Sequence, residues 1–201
     1  MLTAIALALA TIALPSLSVR LQVAPGISRA LVRHTFDEAS ATWATSAIRL
    51  SLSLVGEDDA TRLGATIDLT IDNDPPTELG GQRQLGWITF DENNHPGHRI
   101  HLSFSNAWLL LRDRVGAEAE RMPLEERDRL LGRALGRALA HELGHYLLGS
   151  KVHASAGLMK AGRSADDFFW GQVDLFVLDA EARTLIASRL PVLAMVTAST
   201  R

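Results

Sequence analysis

The sequence predicts an α+β domain in which one helix, a group of strands and then further helices follow each other along the chain. Three observations support this order. Apolar residues recur at helical spacing in the first quarter of the chain, four segments between positions 48 and 104 alternate between apolar and polar residues, and helical spacing returns after Ser105. A chain of 201 residues is long enough for one well-packed domain, and two are not expected.

The first 18 residues have the features of an export leader. The run Leu2–Leu14 is apolar and uncharged, is too short to cross a membrane, and has the length of the apolar region of a signal peptide. Ser16 and Ser18 are small residues at the spacing of a cleavage site. We therefore expect a signal peptide at residues 1–18, a mature domain at residues 19–201, and a secreted or periplasmic protein without stable membrane insertion. The alternative is that this segment forms a buried first strand or helix.

The elements that follow are predicted from local patterns. The first helix is expected from Ile27 to Trp43, because apolar residues return there at every third or fourth position. Strict alternation of apolar and polar residues predicts the strands, and clusters of turn-forming residues separate them. The predicted strands are Ile48–Val55, Ala65–Asp72, Leu85–Asp91 and Arg99–Phe104, with a loop at Glu92–His98 between the last two.

A long helix is predicted at Pro123–Leu148. A proline and two acidic residues suit its first turn, and Gly149 suits its end. Gly132 and Gly136 lie inside this helix, where each costs about 1 kcal/mol relative to alanine. We therefore expect close packing or tight backbone approach at both positions. The other helices are a short one at Asn106–Val115 and one or two after the N-capping residue Ser164.

The composition excludes several classes of function. A net charge of −3 gives no reason to expect a nucleic-acid partner. Cysteine is absent, so disulfides, thiolate metal sites and a cysteine nucleophile are excluded. A metal ion would have to be bound by histidine, aspartate or glutamate, which are ligands that suit zinc among other ions.

The segment 137–159 contains the densest group of candidate functional residues. His141 and His145 are four residues apart in the long predicted helix, so both imidazoles project from one face and can bind one ion at about 2.0–2.1 Å. Glu142 is displaced around the helix, too far to be a third ligand but close to a water on the metal. A carboxylate there can take a proton from that water and pass it to a leaving amine. The His-Glu-x-x-His pattern therefore predicts a hydrolytic metal site with Glu142 as general base.

This segment resembles the metzincin clan of zinc-dependent metallopeptidases, whose motif H-E-x-x-H-x-x-G-x-x-H is followed by a methionine turn. The resemblance implies that His141, His145 and His153 bind Zn²⁺ as the cofactor. It also implies that Gly149 provides a sharp turn below the metal and that Met159 forms a floor beneath the ligands. A peptide or protein would be the substrate.

The spacing of the motif differs from that family. Its glycine and third histidine would stand at positions 148 and 151, where this chain has Leu148 and Lys151. One residue is added before the glycine and one between the glycine and the histidine, and a loop absorbs such insertions at little cost. The alternative is an acidic third ligand from the next predicted helix, with Asp166 and Asp167 as the nearest candidates.

Beyond the motif, the resemblance implies one zincin-like domain. Such a domain has a twisted, mostly parallel sheet with an antiparallel edge strand, a long active-site helix and a C-terminal helix. The strands at Leu85–Asp91 and Arg99–Phe104 resemble those that precede the active-site helix of matrixin-like catalytic domains. On this basis Arg99–Phe104 is expected to be the edge strand along which an extended peptide pairs.

Three more histidines, His95, His98 and His101, lie within seven residues of each other. No carboxylate-rich run accompanies them, so we expect a solvated loop and strand there rather than a second metal site. The function that fits the sequence is that of an exported zinc endopeptidase. Two alternatives are a zincin with an acidic third ligand and a non-catalytic metal-binding domain of the same fold. Glu142 argues against the second, because a pure binding site has no use for a base at that position.

Overall fold

The computed structural model describes residues 16–46, 48, 51–54, 66–74, 78–79 and 82–196. Strands make up most of the elements in the first half of the chain, with one helix after the first strand, and helices make up most of the second half. The strands are β1 (Ser16–Val23), β2 (Ser51–Leu54), β3 (Thr66–Asp72), β4 (Glu78–Leu79), β5 (Gln82–Arg83), β6 (Gly86–Phe90) and β7 (Pro96–Ser103). The helices are α1 (Arg29–Ala44), α2 (Phe104–Val115), α3 (Glu118–Arg121), α4 (Leu124–Leu148), α5 (Ala165–Phe169) and α6 (Ala180–Val196), with a 3₁₀ turn at Val173–Phe176.

Five of these strands form one mixed sheet in the order β2-β1-β3-β7-β6. The pairs β1–β2, β1–β3 and β3–β7 are parallel, and β6 pairs with β7 in the antiparallel direction. Helices follow this sheet in the chain and pack against it, with the long helix α4 in contact with both β6 and β7. The prediction of a single α+β domain with a mostly parallel sheet, an antiparallel edge and a long helix is confirmed.

The expected identity of the edge strand was wrong. The segment predicted for the edge is the main part of β7, which lies between β3 and β6, and the antiparallel edge strand is β6. Alternation identifies a strand but does not specify its neighbours. The strand β7 also begins earlier than predicted, at Pro96. The carboxylate of Asp91 accepts hydrogen bonds from the backbone N–H groups of Asn93 (2.9 Å) and His95 (2.8 Å). These bonds tighten the hairpin, so the second strand starts sooner.

The strand β3 shows how the alternating pattern produces the core. Ile67, Leu69 and Ile71 are fully or almost fully buried, while the threonines and aspartates between them are partly exposed. Because successive side chains of a strand point to opposite faces, one face of the sheet is apolar and supports the helices. The central strand is therefore a rigid base for the elements that bear the site.

The two glycines inside α4 lie where this helix meets α1. A Cβ atom at Gly136 would come within 2.6 Å of the carbonyl oxygen of Thr35, and one at Gly132 within 3.0 Å of the carbonyl oxygen of Leu31. Helix backbones can approach this closely only where no side chain intervenes. The predicted close backbone approach is confirmed at both positions, and it fixes the rotation of α4 about its axis.

We expect Gly136→Ala to destabilise the protein by about 1–3 kcal/mol, since the added methyl group would overpack the α1–α4 contact. In an exposed helix the same change would stabilise by about 1 kcal/mol. Denaturant unfolding of the wild type and the variant therefore tests the sign of the effect. An increase in the free energy of unfolding would contradict the close contact.

The predicted leader overlaps the first strand. Residues 1–15 lie outside the described part of the chain, whereas residues 16–18 form the start of β1 and pair with residues 51–53 of β2. From Ser18 onward β1 is also paired with β3, and Val19 is buried. No helix within the described residues is both long enough and apolar enough to cross a membrane.

Candidate metal centre

The helix α4 carries His141 and His145 on its last two turns and ends, as predicted, at Gly149. This glycine has φ 62° and ψ 35°, the left-handed conformation in which a residue without Cβ is favoured. The guanidinium of Arg189 from α6 donates a hydrogen bond to the carbonyl oxygen of Leu148 and stabilises the helix end. The chain therefore leaves the helix directly below the second histidine.

Backbone carbonyl groups orient the two helical histidines. The Nδ1 atom of His141 lies 2.8 Å from the carbonyl oxygen of Leu158, and that of His145 lies 2.7 Å from the carbonyl oxygen of Ser150. A carbonyl oxygen only accepts hydrogen bonds, so each Nδ1 must carry the proton and donate it. In the neutral imidazole, Nε2 then has a free lone pair. The sequence contained no signal for these two carbonyl partners.

The loop after α4 brings His153 to the same place. The N–H of Ala154 donates to the carbonyl oxygen of Met159 at 2.8 Å, and Ala154 forms a bridge with Lys160, so residues 154–160 form a closed loop. Its closure holds the ring of His153 in a stack on that of His141, with ring centroids 5.1 Å apart. The added residues in the motif are accommodated in the short segment before this loop.

The three histidines are arranged as a metal site requires. The Nε2 atom of His141 lies 3.1 Å from that of His145 and 3.2 Å from that of His153. Ligand nitrogens about 2.0–2.1 Å from one tetrahedral ion would be roughly 3.3 Å apart. With both Nδ1 atoms protonated, the Nε2 lone pairs of His141 and His145 face each other without a proton between them, and a cation would satisfy both. The donor set therefore fits a zinc ion.

Burial keeps the two helical histidines in the form that binds a metal. It lowers the pKa of His141 to about 4, against the opposing effect of the hydrogen bond to Leu158, and the neighbouring His145 and His153 lower this pKa further. Burial also lowers the pKa of His145. Both rings are therefore neutral near pH 7, as a metal-ligating imidazole must be.

The carboxylate of Glu142 lies beside this group but is not part of it. Glu142 is only 7 % exposed, and this burial raises its pKa to about 7. A hydrogen bond from the backbone N–H of Ile88 in β6 partly opposes this shift. The edge strand thus holds a carboxylate whose pKa is suited to proton transfer near neutral pH. Sequence spacing predicted the acid but could not predict the strand that holds it.

Met159 packs beneath the two helical histidines. It is buried, and a Cβ atom added to Gly144, which lies between these histidines in α4, would clash with the Sδ atom of Met159. Met159 therefore packs against α4 at the turn that carries the two histidines. The absence of a side chain at Gly144 lets the loop approach the helix this closely.

The other candidate ligands have different partners. Asp166 forms two hydrogen bonds with Arg114, at 2.7 and 3.3 Å, and Asp167 accepts a bond from the N–H of Ser164 as part of a capping box at the start of α5. Neither aspartate belongs to the three-histidine group. Among the described residues, that group is the one set of three or more side chains that could hold a metal ion.

The histidines near residue 100 do not come together as a second cluster within the described chain. His95 is exposed near Asp91, His98 meets the hydroxyl of Tyr146 at 3.4 Å, and His101 stacks on Trp87. His95, His98 and His101 therefore lie in three separate environments.

No family model and no curated protein matches this sequence. Among solved structures, the chain is similar to a zinc-dependent peptidase from Methanocorpusculum labreanum (strain Z), with 12% sequence identity and a TM-score of 0.46. The similarity covers 85% of this chain and 99% of that chain. A likeness this distant assigns no activity, so the chemistry of the site is argued from its own residues.

Proposed function

We propose that this protein is a zinc-dependent endopeptidase of the metzincin type, in which His141, His145 and His153 bind the metal. The observation that carries the proposal is the convergence of the Nε2 atoms of His141, His145 and His153 beside the buried carboxylate of Glu142, with His141, Glu142 and His153 lining one cavity. Three imidazole ligands with one coordination position left open are typical of a catalytic zinc site. A structural zinc site would be closed by a fourth protein ligand.

In the proposed mechanism, a bound zinc ion would polarise the carbonyl group of the scissile peptide bond and make a water molecule more acidic. Glu142 accepts the proton of the attacking water and then delivers it to the nitrogen of the leaving amine. Its raised pKa allows both transfers near neutral pH, because neither protonation state is strongly favoured. The N–H of Ile88 holds the carboxylate in place during both steps. The hydrogen bonds to Leu158 and Ser150 orient the histidine rings.

We further propose that an extended peptide pairs with β6, which replaces β7 as the expected docking strand. The strand β6 is at the edge of the sheet, and residues 85 and 86 at its start line the cavity that also contains His141 and Glu142. A peptide added to this edge would gain main-chain hydrogen bonds and cross the metal site. This arrangement accounts for an endopeptidase rather than an enzyme that requires a chain end.

Metal analysis together with a peptide-library assay tests this function. We expect purified protein to bind zinc, to cleave peptides internally, to lose this activity after chelation, and to regain it when zinc is added. Bound zinc should also raise the melting temperature, since the folded site binds the ion and the unfolded chain does not hold one. Protein that holds zinc but cleaves no peptide would instead be a non-catalytic metal-binding domain.

We also propose that residues 1–18 are removed on export and that the zincin-like domain comprises residues 19–201. This proposal is supported by the length of the apolar run and the small residues that end it. Mass spectrometry of protein recovered outside the cytoplasm should find a chain that begins near Val19. An intact Met1 would contradict cleavage and would leave the whole of β1 in place.

A further inference from the structure

A cavity of about 600 Å³ adjoins the proposed metal centre. His141, Glu142 and His153 lie along it, together with the start of β6 and the segment 160–163 that follows Met159. Its size is within the range of about 300–1,000 Å³ that is common for ligand pockets. The side chain or chain end next to a bond cleaved at the metal would therefore enter this cavity.

The charged side chains that line the cavity are mostly cationic. Arg83, Arg137, Lys160 and Arg163 contribute positive charges, and Glu142 is the acidic residue among the lining residues. One carboxylate stands against four cationic side chains, so the lining residues carry an excess of positive charge. The cavity therefore presents a positive surface to a substrate.

Two of the four cations are already neutralised by acids outside the cavity. The side chain of Arg137 is almost fully buried and forms an ion pair with Glu38 at 2.7 Å, and it donates further hydrogen bonds to backbone carbonyls around α5. Arg83 forms an ion pair with Asp113. These two arginines mainly stabilise the walls of the cavity.

The other two cations, Lys160 and Arg163, have no such partner. Within the described residues, no carboxylate lies within 4.0 Å of either charged group. Arg163 stacks on Phe176 at 4.0 Å and donates from Nη2 to the backbone carbonyls of Gly157 and Leu175, but its buried Nε has no hydrogen-bond partner. These contacts hold the guanidinium of Arg163 in place, and a carboxylate entering the cavity would meet this fixed positive charge.

The guanidinium of Arg163 is partly desolvated. Burial lowers the pKa of Arg163, and the charge of Asp167 only partly opposes this shift. A cation that is partly desolvated without an ion-pair partner gains more from an incoming carboxylate than a fully hydrated surface cation does.

We propose that this cavity binds a carboxylate of the substrate through Lys160 and Arg163. The carboxylate is either an acidic side chain next to the cleaved bond or the C-terminal carboxylate of a short peptide. The identification of the ligand as a peptide rests on the proposed function, whereas the binding of a carboxylate rests on the cavity alone. Lys160 and Arg163 are therefore specificity-determining residues of this site.

Matched peptides test this proposal. A short peptide is made in pairs with Glu or Gln at each of two neighbouring positions, and in a further pair that ends in a free carboxylate or an amide. Where the protein cleaves a peptide, the two positions flank the cleaved bond. Binding is measured by fluorescence anisotropy on metal-depleted protein, because a carboxylate could otherwise bind the metal. We expect one carboxylate peptide to bind about tenfold or more tightly than its neutral partner, and kcat/KM of the zinc-loaded protein to show the same preference. The peptide pair that shows this preference identifies the source of the carboxylate, which is either an acidic side chain or the C-terminus.

Variants of Lys160 and Arg163 test whether these two residues cause the preference for a carboxylate peptide. Lys160→Met and Arg163→Gln should each reduce the carboxylate preference several-fold, and Arg163→Lys should keep part of it. Arg183→Gln is the matched control, because it removes the same charge from an exposed position on α6 outside the cavity and should leave the preference unchanged. Melting temperatures show which variants are folded, and Lys160→Met keeps the proposal testable if Arg163 is needed for folding.

Two outcomes separate this proposal from the proposed function. Peptide cleavage without any preference for a carboxylate, in binding or in kcat/KM, would overturn the cavity proposal and leave the peptidase intact. Tighter binding of the carboxylate peptide, with no cleavage of any peptide by the zinc-loaded protein, would overturn the peptidase and support the cavity. A preference that survives in folded Lys160→Met and Arg163→Gln would also overturn the assignment of these two residues.

Discussion

The variant Glu142→Ala is expected to retain the metal and to lose peptide hydrolysis by about 10²–10⁴-fold, the usual contribution of general acid–base catalysis. Glu142 does not belong to the three-histidine group that is proposed to bind the ion. Its replacement therefore removes proton transfer without removing a metal ligand. The fold should also tolerate the change. Burial disfavours the charged form of this side chain, and its hydrogen-bond partner is the backbone N–H of Ile88 in β6.

Glu142→Gln is the matched control, since it keeps the size of the side chain and removes its ability to accept the proton. Both variants should bind zinc with the affinity of the wild type, measured by titration against a chelating dye. Hydrolysis at the wild-type rate in either variant would contradict the role of Glu142 as base. Loss of zinc from both would instead make Glu142 a ligand and end the assignment of the site.

His153→Ala should weaken zinc binding by more than about 100-fold, because even the loss of a partner that orients a ligand costs about 10–100-fold. His153 is exposed, and its Nε2 lies 3.2 Å from that of His141, so the variant removes one ligand without disturbing the core. The melting temperature of metal-free protein should therefore remain close to that of the metal-free wild type. Hydrolysis should fall together with zinc occupancy.

Asp166→Ala and Asp167→Ala are the controls for the alternative acidic ligand. The first removes an exposed ion pair with Arg114, which contributes little to stability because both side chains are hydrated. The second removes the capping box with Ser164, which is worth about 1 kcal/mol. Neither should alter zinc affinity. If an aspartate variant loses zinc and His153→Ala retains it, the site has an acidic third ligand, while the roles of His141, His145 and Glu142 would stand.

Local patterns in the sequence were sufficient for several elements and for the part of the site on α4, but β1 was not among the predicted strands, and β4, β5 and α3 were not predicted. The helix α4 was predicted within one residue at its start and at its end, because its first-turn residues and Gly149 act on the adjacent backbone. The strand β3 was predicted as closely, because its alternation reflects burial of one face. The relative position of His141 and His145 also follows from sequence, since a helix places residues four apart on one face.

The tertiary structure decided what depends on contacts between distant segments. The pairing of β6 with β7, rather than the pattern of either strand, determines which one is the edge. The loop closed between Ala154 and Lys160 brings His153 to His141, and the space that Gly144 leaves for Met159 lets that loop approach. The cationic cavity likewise joins residues from both halves of the chain. Sequence spacing specifies geometry only where a regular hydrogen-bonded backbone repeats it. Elsewhere the positions of side chains depend on long-range packing.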